Sequence, residues 1–272
     1  MKSTRSPLTH GLDPTGRTVG RRQWWCLAMA ALLGMGGCGP LGVRRTERAS
    51  GVVPFSAFAP WGEIPKGWRP EVPRPDLPRS RYEMVERDGR RVLHAVADRS
   101  ASGLRCDVDI DPRATPWLEW EWRVDAIDVN ATVAVDARDD APTRVAVGFD
   151  GDFSTLPLRE QLFRDLVQAL TGNVLPFATL MYVWDGQAPL GSVFEYARSS
   201  RIRYLVVESG AARAGRWLRY RRNLVDDYRR AFGGEPGRIR DVGVLTDSDD
   251  LHDHSEAWYG DLEFNAMPSA GT

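Results

Sequence analysis

The sequence predicts an all-β fold, a sandwich of two sheets with two accessory helices. Apolar and polar residues alternate in many short segments, as in Leu118, Trp120 and Trp122, and alternation is typical of a strand with one buried face. Asp88-Gly89 between two such segments predicts a β-hairpin. Turns rich in Gly, Pro and Asp separate the segments. Strands are predicted over residues 82–86, 91–96, 103–110, 117–124, 143–149, 179–184, 201–208, 238–245 and 257–264.

Two helices are predicted between these strands. Leucines recur every fourth residue from Leu158 to Leu170 and stop before Gly172, which predicts an amphipathic helix that packs its leucines on the sandwich. A second helix is predicted from about Arg216 to Phe232, ended by Gly233-Gly234. Its predicted buried face holds Trp217, Tyr220, Leu224, Tyr228 and Phe232, and its charged outer face holds Arg219, Arg222, Asp226 and Arg229.

The amino terminus resembles a bacterial export signal. Arg21-Arg22 precede an apolar run from Trp24 to Gly37, too short to span a membrane, and Cys38 follows as the predicted site of lipidation. The expected organisation is a signal peptide (1–37), a tether (38–54), one domain (55–266) and a tail (267–272). Gly39 after the cysteine favours the outer membrane, facing the periplasm. Cleavage without lipid, giving a secreted or soluble periplasmic protein, and twin-arginine export are the alternatives.

Charge and cysteine content narrow the class of protein further. The chain carries 36 basic and 37 acidic residues, so no overall field attracts it to nucleic acid. Of its three cysteines, Cys26 lies in the apolar run and Cys38 is the lipidation site. Cys106 remains, on the apolar face of a predicted strand, where a buried and inert thiol is expected.

Residues 247–254 form the most acidic segment and are a candidate metal site. Asp247, Asp249 and Asp250 lie at the end of a predicted strand, and carboxylates that converge on a loop can bind calcium. The spacing is not that of an EF-hand. His252 and His254 suggest a transition metal as an alternative, and a simply solvated loop is another.

An aromatic surface is the second candidate site. Its predicted members combine rings on which a sugar can stack with charged groups that bond hydroxyls. They are Asp140, Tyr182, Trp184, Tyr196, Arg201 and Tyr204. The alternative is that these aromatic residues fill the core, because about half of the side chains in a strand face inward.

Glu119 and Glu121 are the candidate catalytic residues. Two positions apart on a strand, they share a face with about 6.5–7 Å between them, close to the separations in glycosidases. The next position where such strands usually carry an acid is Val124. The alternative is a pair of surface glutamates neutralised by arginines. No nucleophile elbow or zinc pattern is present in the sequence.

Ordered sequence blocks extend over the mature chain from about Gly62 to Phe264. They are Pro65-Lys66-Gly67-Trp68, Tyr82-Glu83-Met84-Val85, Ala101-Ser102-Gly103-Leu104, Pro116–Val124, Asp139-Asp140-Ala141-Pro142, Tyr182-Val183-Trp184, Asn223–Gly233, Thr246-Asp247-Ser248-Asp249 and Tyr259-Gly260-Asp261. With these blocks the chain resembles the domain-of-unknown-function family numbered 3047. The resemblance implies a bacterial secreted or envelope protein with a jelly-roll-like sandwich similar to carbohydrate-binding modules, and no established activity.

The expected function is therefore glycan binding without catalysis by a lipid-anchored envelope protein. A glycan-cleaving enzyme that uses Glu119 and Glu121 is one alternative. A structural accessory protein that binds an unknown envelope protein is the other.

Overall fold

A computed structural model describes residues 51–59 and 64–266 of the chain. The predicted signal peptide, Cys38, most of the tether and the tail from residue 267 lie outside these ranges. In the described ranges no helix is long and apolar enough to cross a membrane. The strands are β1 (Trp68–Glu71), β2 (Arg81–Arg87), β3 (Arg90–Asp98), β4 (Ala101–Ile110), β5 (Trp117–Arg123), β6 (Arg144–Phe149), β7 (Ala178–Asp185), β8 (Val193–Tyr196), β9 (Ser199–Ser209), β10 (Leu218–Asn223), β11 (Ile239–Asp247) and β12 (His254–Asn265), and the helices are α1 (Leu158–Thr171) and α2 (Leu224–Phe232).

The strands form two sheets, which confirms the predicted all-β sandwich. The seven-stranded sheet has the order β1-β4-β11-β6-β7-β9-β8, and the five-stranded sheet has the order β10-β5-β12-β3-β2. Neighbouring strands are antiparallel except β7 and β9, which are parallel. β11 lies between β4 and β6, so the ends of strands distant in sequence meet in the seven-stranded sheet.

One apolar core fills the space between the sheets. Trp120 and Trp122 of β5 are fully buried and face Tyr182 and Trp184 of β7, with the rings of Trp120 and Tyr182 4.9 Å apart. Within the described residues this core extends from Phe55 to Leu262 and joins both sheets. The segment from Gly51 to Thr272 contains all of these residues, and we expect it to fold without the preceding ones.

The segment before β2 closes one edge of the core. Phe55 is buried and its ring lies 4.9 Å from that of Trp68. β1 contains Pro70 and is an edge strand, the position in a sheet that tolerates proline. Cys106, opposite Trp68 on β4, is buried as predicted, and burial raises the pKa of its thiol to about 11.

The predicted hairpin turn is confirmed. Asp88 and Gly89 join β2 to β3 with φ angles of 52° and 71°. Both central residues of a type I′ hairpin turn adopt positive φ, and that geometry follows the twist of the strands. Asp tolerates this region and Gly favours it, which is why the pair is a reliable sequence signal.

The predicted orientation of α1 is wrong. The helix forms where expected and ends at Gly172 with a φ of 73°, but its four leucines face solvent. Glu160 is the buried residue of the helix. Its carboxylate accepts hydrogen bonds from the Ser199 hydroxyl (2.6 Å) and from the Ser200 amide (2.9 Å), so a polar contact attaches α1 to the sheet.

The second predicted helix begins eight residues too early. Residues 218–223 form β10, which pairs with β5, and the side chain of Asn223 accepts hydrogen bonds from the amides of Val225 and Asp226 to start α2. Arg219 and Arg222 therefore lie on a strand rather than on a charged helix face. Arg222 is paired with the buried Asp227, and Arg229 with Glu235. These internal pairs neutralise much of the surface proposed for a protein partner.

Candidate functional site

Five aspartates meet on the outer face of the seven-stranded sheet and form what we call the acidic cluster. Asp139 and Asp140 belong to the connection from β5 to β6, and Asp247, Asp249 and Asp250 to the end of β11 and the following turn. The segments meet because β6 starts beside the end of β11, where Arg144 pairs in register with Leu245.

Arg144 lies at the centre of the acidic cluster and is almost completely buried. Its guanidinium forms an ion pair with Asp247 and donates a 2.8 Å hydrogen bond to Asp139 Oδ1 and a 2.6 Å hydrogen bond to the Asp139 carbonyl. A buried arginine is rare unless paired, and here two carboxylates share one cation.

Burial of the inner carboxylates leaves part of their bonding capacity unused. Burial raises the pKa of both Asp139 and Asp247, while Arg144 opposes that rise. Asp247 Oδ1 and the Ser248 hydroxyl are buried, and neither has a hydrogen-bond partner within the described part of the protein. Unpaired buried polar atoms are costly, so their presence marks a place where a polar ligand atom is favoured.

Asp140 fixes the turn that follows β11. Its carboxylate accepts hydrogen bonds from the amide of Asp250 (3.0 Å) and from the amide of Leu251 (2.6 Å). At the start of the same turn, the Ser248 amide donates to the Ser100 carbonyl at 3.1 Å. These bonds hold the carboxylates of Asp249 and Asp250 in place at the rim of the acidic cluster.

The rim is less buried and carries both signs of charge. Asp249 lies 3.8 Å from Arg74, which itself donates two hydrogen bonds to Asp76. Partial burial raises the pKa of Asp249, and burial together with the charge of Asp249 raises the pKa of Asp250 to about 6. The Asp250 carboxyl group therefore changes charge closer to neutral pH than an ordinary aspartate does.

Two tyrosines form an aromatic side of the same site. The Tyr204 hydroxyl donates a 2.6 Å hydrogen bond to Asp139 Oδ2, and the guanidinium of Arg144 lies 5.7 Å from the Tyr204 ring. Tyr196 packs edge-on against Tyr204, with 6.3 Å between the ring centres, and is only partly buried. The acidic cluster thus has an accessible aromatic ring beside it.

The structure divides the residues predicted for the aromatic surface. Asp140, Tyr196 and Tyr204 come together at the acidic cluster. Tyr182 and Trp184 do not take part, because both are fully buried and face the core. Arg201 lies towards the start of β9, where it donates to the Phe177 carbonyl at 3.0 Å and stacks on the Phe177 ring.

The residues predicted to bind calcium belong to the acidic cluster but do not form a coordination shell. Asp247 is committed to Arg144, and Asp249 is close to Arg74. In the described ranges no three His, Cys, Asp or Glu side chains are arranged to hold a metal ion. His252 and His254 are exposed, and the ring of His254 contacts Glu256 at 3.2 Å.

Glu119 and Glu121 lie on the outer face of the five-stranded sheet, away from the acidic cluster. Arg219 donates a 2.9 Å hydrogen bond to Glu119, and Arg90 donates a 2.5 Å hydrogen bond to Glu121. These contacts correspond to the alternative given above for the two glutamates, in which arginines neutralise both carboxylates. A shallow cavity of about 290 Å³ lies beside Glu121, and its other lining residues are Ser56, Gly89, Arg90, Arg91, Val92, Gly260 and Asp261.

Sequence analysis did not identify Asp139, Arg144, Ser248 or Arg74 as members of the site. Arg144 had a usable signal, since it is a charged residue at the start of the apolar run Val145-Ala146-Val147. An arginine in a buried strand needs an anionic partner, and Asp139-Asp140 lie only a few residues before it in the sequence. The position of Arg74 depends on how the segment before β2 folds, for which the sequence offers no pattern.

The fold and site define a class of protein: a two-sheet β-sandwich with a charged, partly aromatic site on the outer face of one sheet. Residues 66–263 match the family described as "Protein of unknown function (DUF3047)". The chain belongs to that family, as its sequence blocks indicated. A comparison with curated proteins gives no match.

Proposed function

We propose that this protein is a non-catalytic binding module of the cell envelope that holds a glycan at the acidic cluster. The position of its carboxylates, guanidinium groups and one accessible ring around unpaired buried polar atoms supports this function. The address rests on the sequence alone, with a lipid on Cys38 as the tether, most simply in the outer membrane facing the periplasm.

The rim of the acidic cluster has the chemistry that a polyhydroxylated ligand needs. A carboxylate such as Asp249 or Asp250 accepts bonds from two adjacent hydroxyls, and the Arg74 guanidinium donates in a planar fork. The Tyr196 ring offers an apolar face to the C–H side of a sugar.

Rigid support beneath the rim favours binding. Asp140 holds the turn through two amide bonds, and Arg144 fixes Asp139 and Asp247 below it. Groups that are already in position lose little conformational entropy when a ligand arrives, so weak individual contacts add up to measurable affinity.

A pull-down of residues Gly51 to Thr272 with peptidoglycan and a panel of polysaccharides tests the proposal. We expect saturable binding to one glycan, and a loss of affinity of about tenfold or more for Asp249→Asn and for Tyr196→Ala, since each loses a direct contact. Glu121→Gln is the matched control, because it neutralises a paired carboxylate on the other sheet, and its affinity should equal that of the wild type.

Two results would overturn this proposal. If no glycan binds, the ligand class is wrong. If a glycan binds and Glu121→Gln abolishes binding while Asp249→Asn does not, the site is the outer face of the five-stranded sheet. Release of reducing ends during the same incubation would instead favour the glycan-cleaving alternative.

Binding is expected to increase as the pH rises through about 6. Because the pKa of Asp250 is raised to about 6, its carboxyl group is largely neutral at pH 5 and largely ionised at pH 7. The ionised fraction rises about tenfold across that interval, and only the ionised group is a full hydroxyl acceptor. Affinity measured by isothermal titration calorimetry at both pH values should show the increase, and Asp250→Asn should flatten it. An unchanged pH profile in that variant would exclude this role for Asp250.

A further inference from the structure

The acidic cluster carries more negative than positive charge. Its buried cation, Arg144, is shared by Asp139 and Asp247. A second cation, Arg74, lies at the rim, 3.8 Å from Asp249. Two guanidinium groups against five carboxylates leave an excess of three negative charges when every aspartate of the cluster is ionised. A cation that enters the cluster is therefore attracted by several carboxylates at once.

Charges just outside the acidic cluster do not remove this excess. Arg74 donates hydrogen bonds of 3.1 and 3.0 Å to Asp76, so its charge is divided between that residue and the rim. The charge of Arg198 acts on Asp76, and Asp136 adds a further negative charge beside Asp139. These neighbours contribute one cation and two carboxylates, so the balance stays negative when they are included.

One acceptor inside the acidic cluster has no donor. Asp247 is only 7% exposed, and its Oδ2 is paired with Arg144, but its Oδ1 has no hydrogen-bond partner within the described part of the chain. A carboxylate oxygen only accepts, so the group that satisfies it must be a donor. Unpaired buried acceptors are costly. This observation is independent of the charge balance, and it also points to a ligand that donates hydrogen bonds.

An ammonium group meets both requirements better than a hydroxyl group does. It offers N–H donors, no acceptor and a positive charge, and hydrogen bonds between ionised partners are about twice as strong as neutral ones. A metal ion fits less well, because in the described ranges no three His, Cys, Asp or Glu side chains are arranged to hold one. Acetylation of the same nitrogen removes the charge and adds a carbonyl oxygen, an acceptor that the carboxylates repel.

We propose that the acidic cluster selects a positively charged glycan, whose sugars carry free amino groups, over the same glycan with those groups acetylated. This inference rests on the proposed function and names the class of its ligand. The carboxylates of Asp249 and Asp250 at the rim bind the ammonium group, and the Tyr196 ring packs against the sugar that carries it. The charges of Asp139 and Arg74 both act on Tyr196, which places the ring close to this rim.

Isothermal titration calorimetry of residues Gly51 to Thr272 with two matched hexasaccharides tests the proposal. One is β-1,4-linked glucosamine, and the other is the same chain with every amino group acetylated. At about pH 6.5 an amine is protonated and Asp250 is mostly ionised. We expect the glucosamine hexasaccharide to bind at least about tenfold more tightly. Its affinity should fall when NaCl is raised from about 50 to about 500 mM, whereas that of the acetylated chain should change little.

Variants that remove one charge locate the preference. Asp250→Asn keeps the size of the side chain and removes its charge, so it should reduce the preference for the glucosamine chain about threefold or more. The double variant Asp249→Asn/Asp250→Asn should abolish most of it. Glu121→Gln is the matched control, since it removes one negative charge from the other sheet, and its preference should equal that of the wild type. The circular dichroism spectrum checks that each variant is folded.

The results that contradict this inference differ from those that contradict the proposed function. Equal affinity for both hexasaccharides, or tighter binding of the acetylated one, overturns the inference and leaves glycan binding in place. The same holds if neither hexasaccharide binds but another polysaccharide of the panel does. A preference that the double variant keeps and Glu121→Gln loses places the ammonium group on the five-stranded sheet and also overturns the inference. Failure of every glycan to bind overturns the proposed function itself, and the inference with it.

Discussion

Arg144→Met is expected to lower the free energy of unfolding by about 3–5 kcal/mol, a large fraction of the stability of a typical domain. The reason is electrostatic. Removing Arg144 leaves the buried carboxylates of Asp139 and Asp247 without the cation that both contact. Urea unfolding followed by circular dichroism measures the loss, and a thermal scan should show the midpoint falling by about 2–4 °C for each kcal/mol.

Arg229→Met is the matched control for this prediction. It removes the same side chain from an exposed pair with Glu235, where solvent screens the attraction, so the expected cost is about 1 kcal/mol or less. The double variant Arg144→Met/Asp247→Asn should regain at least about 1 kcal/mol, because it also removes one of the two stranded charges. Equal losses for Arg144→Met and Arg229→Met would mean that Arg144 does not stabilise the acidic cluster.

Local patterns in the sequence were enough to predict most of the strands. Alternation identified the core faces of β4 and β5, and Asp88-Gly89 identified the first hairpin. The short edge strands β1 and β8 were missed, because each has four residues and β1 contains a proline. β10 was assigned to a helix because Trp217, Tyr220 and Leu224 fit a helical spacing, whereas the core side chains of this strand, Leu218 and Tyr220, alternate. The capping side chain of Asn223 is the local feature that separates strand from helix here.

The wrong orientation predicted for α1 has a different cause. A stripe of leucines predicts that one face of a helix is covered, but it does not say whether the same domain or another molecule covers it. In this protein Glu160 accepts hydrogen bonds from Ser199 and Ser200, the first two residues of β9, and these bonds attach the polar side of the helix to the sheet. That contact joins residues about forty positions apart and has no signature in the sequence.

The candidate site was predictable only in part because its members are distant in sequence. Asp140 and Tyr204 were assigned to the predicted aromatic surface, and Asp247 was assigned to the predicted metal site. They come together because β11 lies beside β6 in the seven-stranded sheet. This pairing brings the turn after Asp247 close to the connection before Arg144. Tyr182 and Trp184 were assigned to a surface because alternation alone does not say which face of β7 is inward.

Trp184→Ala is expected to lower the free energy of unfolding by about 3–5 kcal/mol, the cost of a large cavity in a packed core. Trp184 is fully buried, and its indole nitrogen donates a 2.9 Å hydrogen bond to the Gly210 carbonyl, which the variant also loses. Urea unfolding measures the change.

Tyr196→Ala is the comparison that distinguishes a residue of the binding site from a residue of the core. Tyr196 is only partly buried, so its loss should cost about 1 kcal/mol or less in stability while it weakens glycan binding. Under conditions where both variants remain folded, Trp184→Ala should bind glycan like the wild type, because its side chain does not reach the acidic cluster. If Trp184→Ala unfolds as easily as the wild type yet fails to bind, the ring acts in recognition and the aromatic surface extends along β7.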